Sequence, residues 1–246
     1  NGLHYWAGSS ARDVLTNGPN NWIITGDALG CPQTITFNSP PSKIYGDSDF
    51  DISGYASSSS ALPVTYEVVS GPGSLDVNTL SLTGAGNIVI KATQPGGSGY
   101  LAAEPAQQTL EVSKKVITAS SITVSNKVYD GTTTATATGG TLTGVLPADI
   151  GNVSLGTASF DTKNLGTGKV ISGFTLSGSK AGNYTLTQPT GVTANITALA
   201  ITVTAKPNQG KVYGESDPSL KYTVSPSLAN GDSFAGALSR ASGENV

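Results

Sequence analysis

Lys43-Ile44-Tyr45-Gly46-Asp47 returns as Lys127-Val128-Tyr129-Asp130-Gly131 and again as Lys211-Val212-Tyr213-Gly214-Glu215. The tyrosines are spaced by 129 − 45 = 84 and 213 − 129 = 84 residues. A second landmark keeps the same period: Tyr100, after the turn Gly96-Gly97-Ser98-Gly99, matches Tyr184, after Ala181-Gly182-Asn183. A third is Pro105 against Pro189, each followed by an alternating apolar run, Leu110 and Val112 in the first copy and Val192, Ala194 and Ile196 in the second. Several landmarks in one register are the signature of a repeat protein, whose unit is a single small fold used again.

Outward from the motif, the chain reads as strands. Ile35/Phe37, Val64/Tyr66/Val68, Ile88/Ile90/Ala92, Ile122/Val124, Phe174/Leu176, Ile201/Val203 and Tyr222/Val224 each alternate with the residues between them. Alternation by twos puts every second side chain on one face of a sheet. Between the runs stand turn formers: Gly71-Pro72-Gly73, Gly96-Gly97, Gly139-Gly140 and Asn230-Gly231-Asp232. No stretch keeps a helical apolar period. Short strands broken by turns predict an all-β fold, a tandem array of small antiparallel β-sandwiches of immunoglobulin-like type. A unit of 84 residues is close to the roughly 100 of such a sandwich. The period divides the chain into a remnant of an upstream domain (1–32), a first immunoglobulin-like unit (33–113), a second unit (114–198) and an incomplete third (199–246). The third is expected to be less stable than the others, because its closing strands would lie beyond Val246 and an incomplete sandwich leaves edges uncovered.

Residues 127–133 (Lys-Val-Tyr-Asp-Gly-Thr-Thr), with Gly178 to Tyr184 and the run Leu186 to Gly191, resemble the YDG domain. Lys211 to Gly214 with Asp217-Pro218, Leu220 to Val224 and Asn230 to Phe234 resemble its companion, the MBG domain. The unit from Gln33 to Ser113 resembles a bacterial immunoglobulin-like repeat of the same broad group. The resemblance implies a stalk or adhesin segment of a large exported bacterial surface protein, located outside the cell, with neighbouring repeats as its first partners. It brings no catalytic residue.

Composition narrows the partners. The 246 residues carry only 12% charged side chains and a net charge of −3, with 31 glycines and no methionine. No basic field exists to hold a phosphate backbone, so nucleic acid is not an expected partner. No run of about 20 apolar residues suits a membrane span. The chain shows no leader at Asn1 and fits an internal piece of a longer protein. Cys31 is alone and forms no internal disulfide, so burial and sheet hydrogen bonds must hold the fold.

Candidate residues are few. The Lys-x-Tyr motif recurs once per unit, which favours a folding role: a ring at the end of the core, its hydroxyl on backbone, and a turn from the following Gly or Asp. Tyr100 and Tyr184 suit the tyrosine corner of immunoglobulin-like sandwiches. Asp47, Asp49 and Asp51 alternate as candidate Ca²⁺ ligands, although an EF-hand loop would need Gly and Glu where Ile52 and Ser58 stand. Apart from that Ca²⁺ no cofactor is expected. The lone histidine, His4, lies with Tyr5, Trp6 and Trp22 in the N-terminal segment, and these aromatics read as core of an upstream domain or as a sugar-stacking cluster. Cys31-Pro32 reads as a linker thiol. Asn152, Asn183 and Asn195 open Asn-x-Ser/Thr sequons without meaning in a bacterial protein. No nucleophile has an evident base, so the chain is not expected to be an enzyme. Two functions remain: a structural stalk repeat, or an adhesive module that binds glycan or host protein, with Ca²⁺ assisting.

Overall fold

The computed structural model describes residues 30–229, 231–239 and 241. His4, Tyr5, Trp6, Trp22, Asn230 and nearly all of the expected 1–32 remnant lie outside them. Among the described residues there are strands, three short 3-10 turns and no α-helix, so the chain is all-β. None of the described helices is long and apolar enough to cross a membrane. By packing, the chain forms two compact units: residues up to Lys115 together with Gly182–Thr185, and Val116–Ala181 together with the residues from Leu186 onward.

The first unit contains β1 (Ile35–Phe37), β2 (Lys43–Ile44), β3 (Phe50–Asp51), β4 (Ala56–Ser58), β5 (Thr65–Ser70), β6 (Gly73–Asp76), β7 (Thr79–Leu82), β8 (Gly86–Thr93) and β9 (Ala106–Ser113). Its sheets are ordered β2-β9-β8-β5, β3-β7-β6 and β1-β4. Strand β8 shows why the sequence folds this way. Ile88, Ile90 and Ala92 are fully buried, while Val89 and Lys91 between them are half-buried on the other face. Leu110 and Val112 of β9 complete that face, and Ile52, Leu80 and Phe37 come from the smaller sheets to cover it. Burying side chains of this size contributes roughly 1.5–3 kcal/mol each. Cys31 is a free thiol, so among the described residues no disulfide adds to that contribution.

From Lys115 onward the chain forms β10 (Lys115–Val124), β11 (Lys127–Val128), β12 (Thr134–Thr143), β13 (Ser154–Leu155), β14 (Thr157–Phe160), β15 (Gly166–Ser172), β16 (Leu176–Ser177), β17 (Tyr184–Leu186), β18 (Thr193–Thr197), β19 (Thr202–Ala205) and β20 (Tyr222–Ser225); of these strands only Lys115, Tyr184 and Thr185 belong to the first unit and the rest to the second. The main sheet is ordered β11-β18-β15-β14-β12-β10-β17, with two-stranded pairs β13-β16 and β19-β20 beside it. Ile117, Phe160, Ile171, Phe174 and Ile196 form its core. Gly139-Gly140, expected as a turn, instead lies inside β12. The register of β10 against β12 slips around Thr123, so the glycines form a bulge. A Cβ on Gly139 would meet Thr123 Oγ1 at 2.7 Å, and Gly140 has φ +147°, so glycine is required where the strand bends.

The 84-residue period is written into the pairing. Ile35 opposite Ser58 becomes Ala119 opposite Leu142, a shift of 84 on both sides. Lys43 beside Val112 becomes Lys127 beside Ile196, again 84 on both sides, and both pairings are parallel. These parallel pairs depart from the purely antiparallel expectation. In each complete repeat the motif strand is the second, after β1 or β10, and is bonded in parallel to the last, β9 or β18. In the third repeat the period would set Val203 against residue 142 + 84 = 226, but Val203 faces Val224. A slip of two residues keeps the same face.

Candidate functional site

The recurring motif builds the same small device three times with different chemistry. In each copy the lysine begins a short extended segment, and a glycine in the left-handed region follows: Gly46 at φ +95°, Gly131 at +77° and Gly214 at +84°. In the first and third copies the amide two residues past the tyrosine returns to the residue before it, Asp47 N to Ile44 O at 2.9 Å and Glu215 N to Val212 O at 3.1 Å. Glycine at the third position of such a turn is what a type II geometry demands.

The lysine closes the loop from within. Lys43 Nζ sits 4.3 Å above the centre of the Phe50 ring, a cation–π contact. Lys127 Nζ donates to the Thr132 and Thr134 carbonyls at 3.0 and 3.1 Å and lies 2.8 Å from Asp130 Oδ1. Lys211 Nζ donates to the Glu215 carbonyl at 2.7 Å and lies 3.1 Å from Asp217 Oδ1. The hydrogen bond from Lys127, with the amide of Thr132, lowers the Asp130 carboxyl to about 2. Asp161 is lowered in the same way, first by Lys169 at 2.7 Å and then by the Thr162 amide.

The tyrosine's surroundings differ from copy to copy. Tyr45 is buried, with its ring edge-on to Tyr184 at 5.6 Å inside the first compact unit. Tyr129 is half-buried and donates its hydroxyl to Asp232 Oδ1 at 3.1 Å, a carboxylate and not the expected backbone group. Tyr213 is 71% exposed. The tyrosine expected to form a corner, Tyr100, is surface-exposed and is bridged to Cys31 and Gly97. Its counterpart by the period, Tyr184, is buried. Tyr66 joins backbone groups through its hydroxyl. It donates to the Ser53 carbonyl at 3.1 Å and accepts from the Ala56 amide at 3.2 Å, and burial pushes its hydroxyl pKa up.

The three alternating acids are dispersed among local partners. Asp47 Oδ2 accepts from the Ile44 amide at 2.9 Å, Asp49 Oδ2 from the Ser81 hydroxyl at 2.6 Å and Asp51 Oδ1 from the Ser53 amide at 2.8 Å. The Ser53 hydrogen bonds hold the Asp51 carboxyl below its usual range. Among the described residues no three histidine, cysteine or acidic side chains gather at one point.

Sequence reasoning missed a buried polar cluster. The Gln33 amide donates to Gln94 Oε1 and to the Leu101 carbonyl, and Ser60 donates to Gln33 Oε1. The Gly96 amide also reaches Gln94 Oε1, and Ser58 reaches the Leu62 carbonyl at 2.8 Å. Gln33 and Gln94 are almost wholly buried. With its polar atoms engaged, the cluster is a structural tie between loops far apart in sequence. An open groove of about 490 Å³ in the second unit is lined by Ala119–Val124 and Pro189–Thr193, without a titratable side chain. Neither place brings a titratable side chain to its polar groups.

No curated protein matches the chain. Among solved structures it is similar to the crystal structure of Drosophila N-cadherin EC1-4, at 11% identity over 81% of this chain, with a TM-score of 0.19. The chain spans 58% of that chain's length. Residues 113–191 match the YDG domain and residues 201–246 match the MBG domain of the YGX type, so the chain carries a YDG domain followed by an MBG domain.

Proposed function

We propose that this chain is a non-catalytic structural segment of a bacterial cell-surface or secreted adhesin-like protein, in which each repeat is a spacer. The observation that supports this reading is the repeated register: the pairing of the motif strand with the last strand recurs with the 84-residue period, while the side chains around it change from copy to copy. A binding function shared by all the units would keep one polar constellation from copy to copy. Here the frame is kept. Lys43, Lys127 and Lys211 each find a different partner, and all of them stabilise the loop of their own repeat. The YDG and MBG matches fit a repeat module of this kind. The test is replacement in the parent surface protein. Exchanging residues 33–198 for an unrelated β-sandwich array of equal length is expected to leave binding by the parent protein intact. Loss of binding after that exchange, with expression and export unchanged, would make the repeats themselves adhesive.

A further inference from the structure

We infer that the tyrosine of the Lys-x-Tyr motif is the docking residue for the repeat that follows it. Two of its three copies meet a residue that the period assigns to the next repeat. Tyr45 is buried against Tyr184, a residue that the period assigns to the second repeat, since 184 − 100 = 84. Tyr129 is half-buried beneath a residue of the third repeat, Asp232, whose carboxylate accepts its hydroxyl at 3.1 Å. Tyr213 and the adjacent Val212 are more than 70% exposed.

The contact at Tyr129 has a physical task. The third repeat's sheet is the two-stranded β19-β20, and no residue from Leu199 onward joins the buried core among the described residues. A two-stranded hairpin is marginal alone in water. It needs an anchor outside itself, and Asp232 supplies one. A tyrosine O–H donating to a carboxylate is a charge-assisted hydrogen bond. Lys163 Nζ, 3.9 Å from the same oxygen, adds an exposed attraction of small size. The anchor therefore joins the YDG repeat to the MBG repeat through the motif that marks each unit. The inference rests on the spacer reading only for what the junction serves. Failure of the replacement test would leave this contact standing, and failure of the test below would leave the spacer reading standing.

Hydrogen exchange on the full chain tests it, with Tyr129→Phe, Asp232→Ala, the double variant and Tyr213→Phe. The first two are each expected to speed exchange at Thr202–Ala205 and Tyr222–Ser225 by roughly two- to fivefold, the effect of one modest hydrogen bond. The double variant should exceed neither single variant by much, because both remove the same bond. Tyr213→Phe should change nothing, and Ile88–Ala92 should exchange alike in all. Unchanged exchange in both single variants, additive effects in the double, or an equal effect from Tyr213→Phe would overturn the inference.

Discussion

Asp130 shows how one loop acid is employed. Its folded pKa of about 2 lies below the roughly 3.9 of an unfolded aspartate. A depressed carboxylate adds stability above its unfolded pKa, and that contribution is lost as the pH falls through the folded value. The side chain is 54% exposed, so solvent screens most of the gain. Asp130→Asn is expected to lower the unfolding free energy by less than about 1 kcal/mol at pH 7. The difference should fade as the pH drops through 2 and be gone at roughly pH 1, where Asp130 is protonated in both states. Denaturant titrations at the two pH values check this, and a gap that survives acid would refute an electrostatic origin. The three acids of the first unit follow from their partners as well. Since Asp47, Asp49 and Asp51 serve Ile44, Ser81 and Ser53 separately, millimolar Ca²⁺ is expected to leave the calorimetric midpoint of residues 33–198 unmoved. A rise of several degrees would mean that the loop closes on the ion. These acids were visible in the sequence as a pattern, but the partner of each was not. Asp49 meets Ser81 across 32 residues and Gln33 meets Gln94 across 61, and no local spacing encodes such a meeting.

At the scale of elements, the strands were legible and their cover was not. Ile88, Ile90 and Ala92 alternate and are buried. Tyr222 and Val224 alternate as clearly and also form a strand, yet Tyr222 is exposed and Val224 only half-buried. Alternation fixes which face is apolar, while a second layer decides whether that face is dry. The pairs Lys43–Ile44 and Lys127–Val128 are two residues long, too short for any period to reveal, so their parallel pairing appears only in the fold. Glycines separate turn from close approach in the same way. Gly178 has φ +108° and a Cβ there would lie 2.2 Å from the Asn152 carbonyl oxygen, whereas Gly151, at φ +87°, has open space around it. Gly178→Ala is expected to destabilise the second unit by about 3 kcal/mol or more, through backbone strain plus a clash with main chain. Gly151→Ala should cost only the conformational term of about 1–2 kcal/mol. Urea unfolding of the two variants distinguishes them, and equal costs would mean that the Asn152 carbonyl yields.

For the whole molecule, burial is uneven along the chain. Every residue of the described core lies at or before Ile196. Brief trypsin digestion is therefore expected to cut at Lys211 or Lys221 before it cuts at Lys91, Lys127 or Lys169, as peptide masses at early times will show. First cleavage at Lys91, in the middle of β8, would mean that the first unit opens more readily than its packing implies. The parallel pairs have a last consequence, a mechanical one. In each complete repeat the motif strand follows one earlier strand, β1 or β10, and lies beside the strand by which the chain leaves. With Lys43 beside Val112 and Ile44 beside Ser113, these two strands run the same way. The Tyr45 amide adds a bond to the Ser113 carbonyl at 2.9 Å, matched by the bond from Tyr129 to Thr197 at 2.8 Å. Tension on the two ends of the chain then slides one strand along the other. It loads these bonds together instead of peeling them one by one, so each unit resists stretching most strongly along the line on which the chain itself would pull.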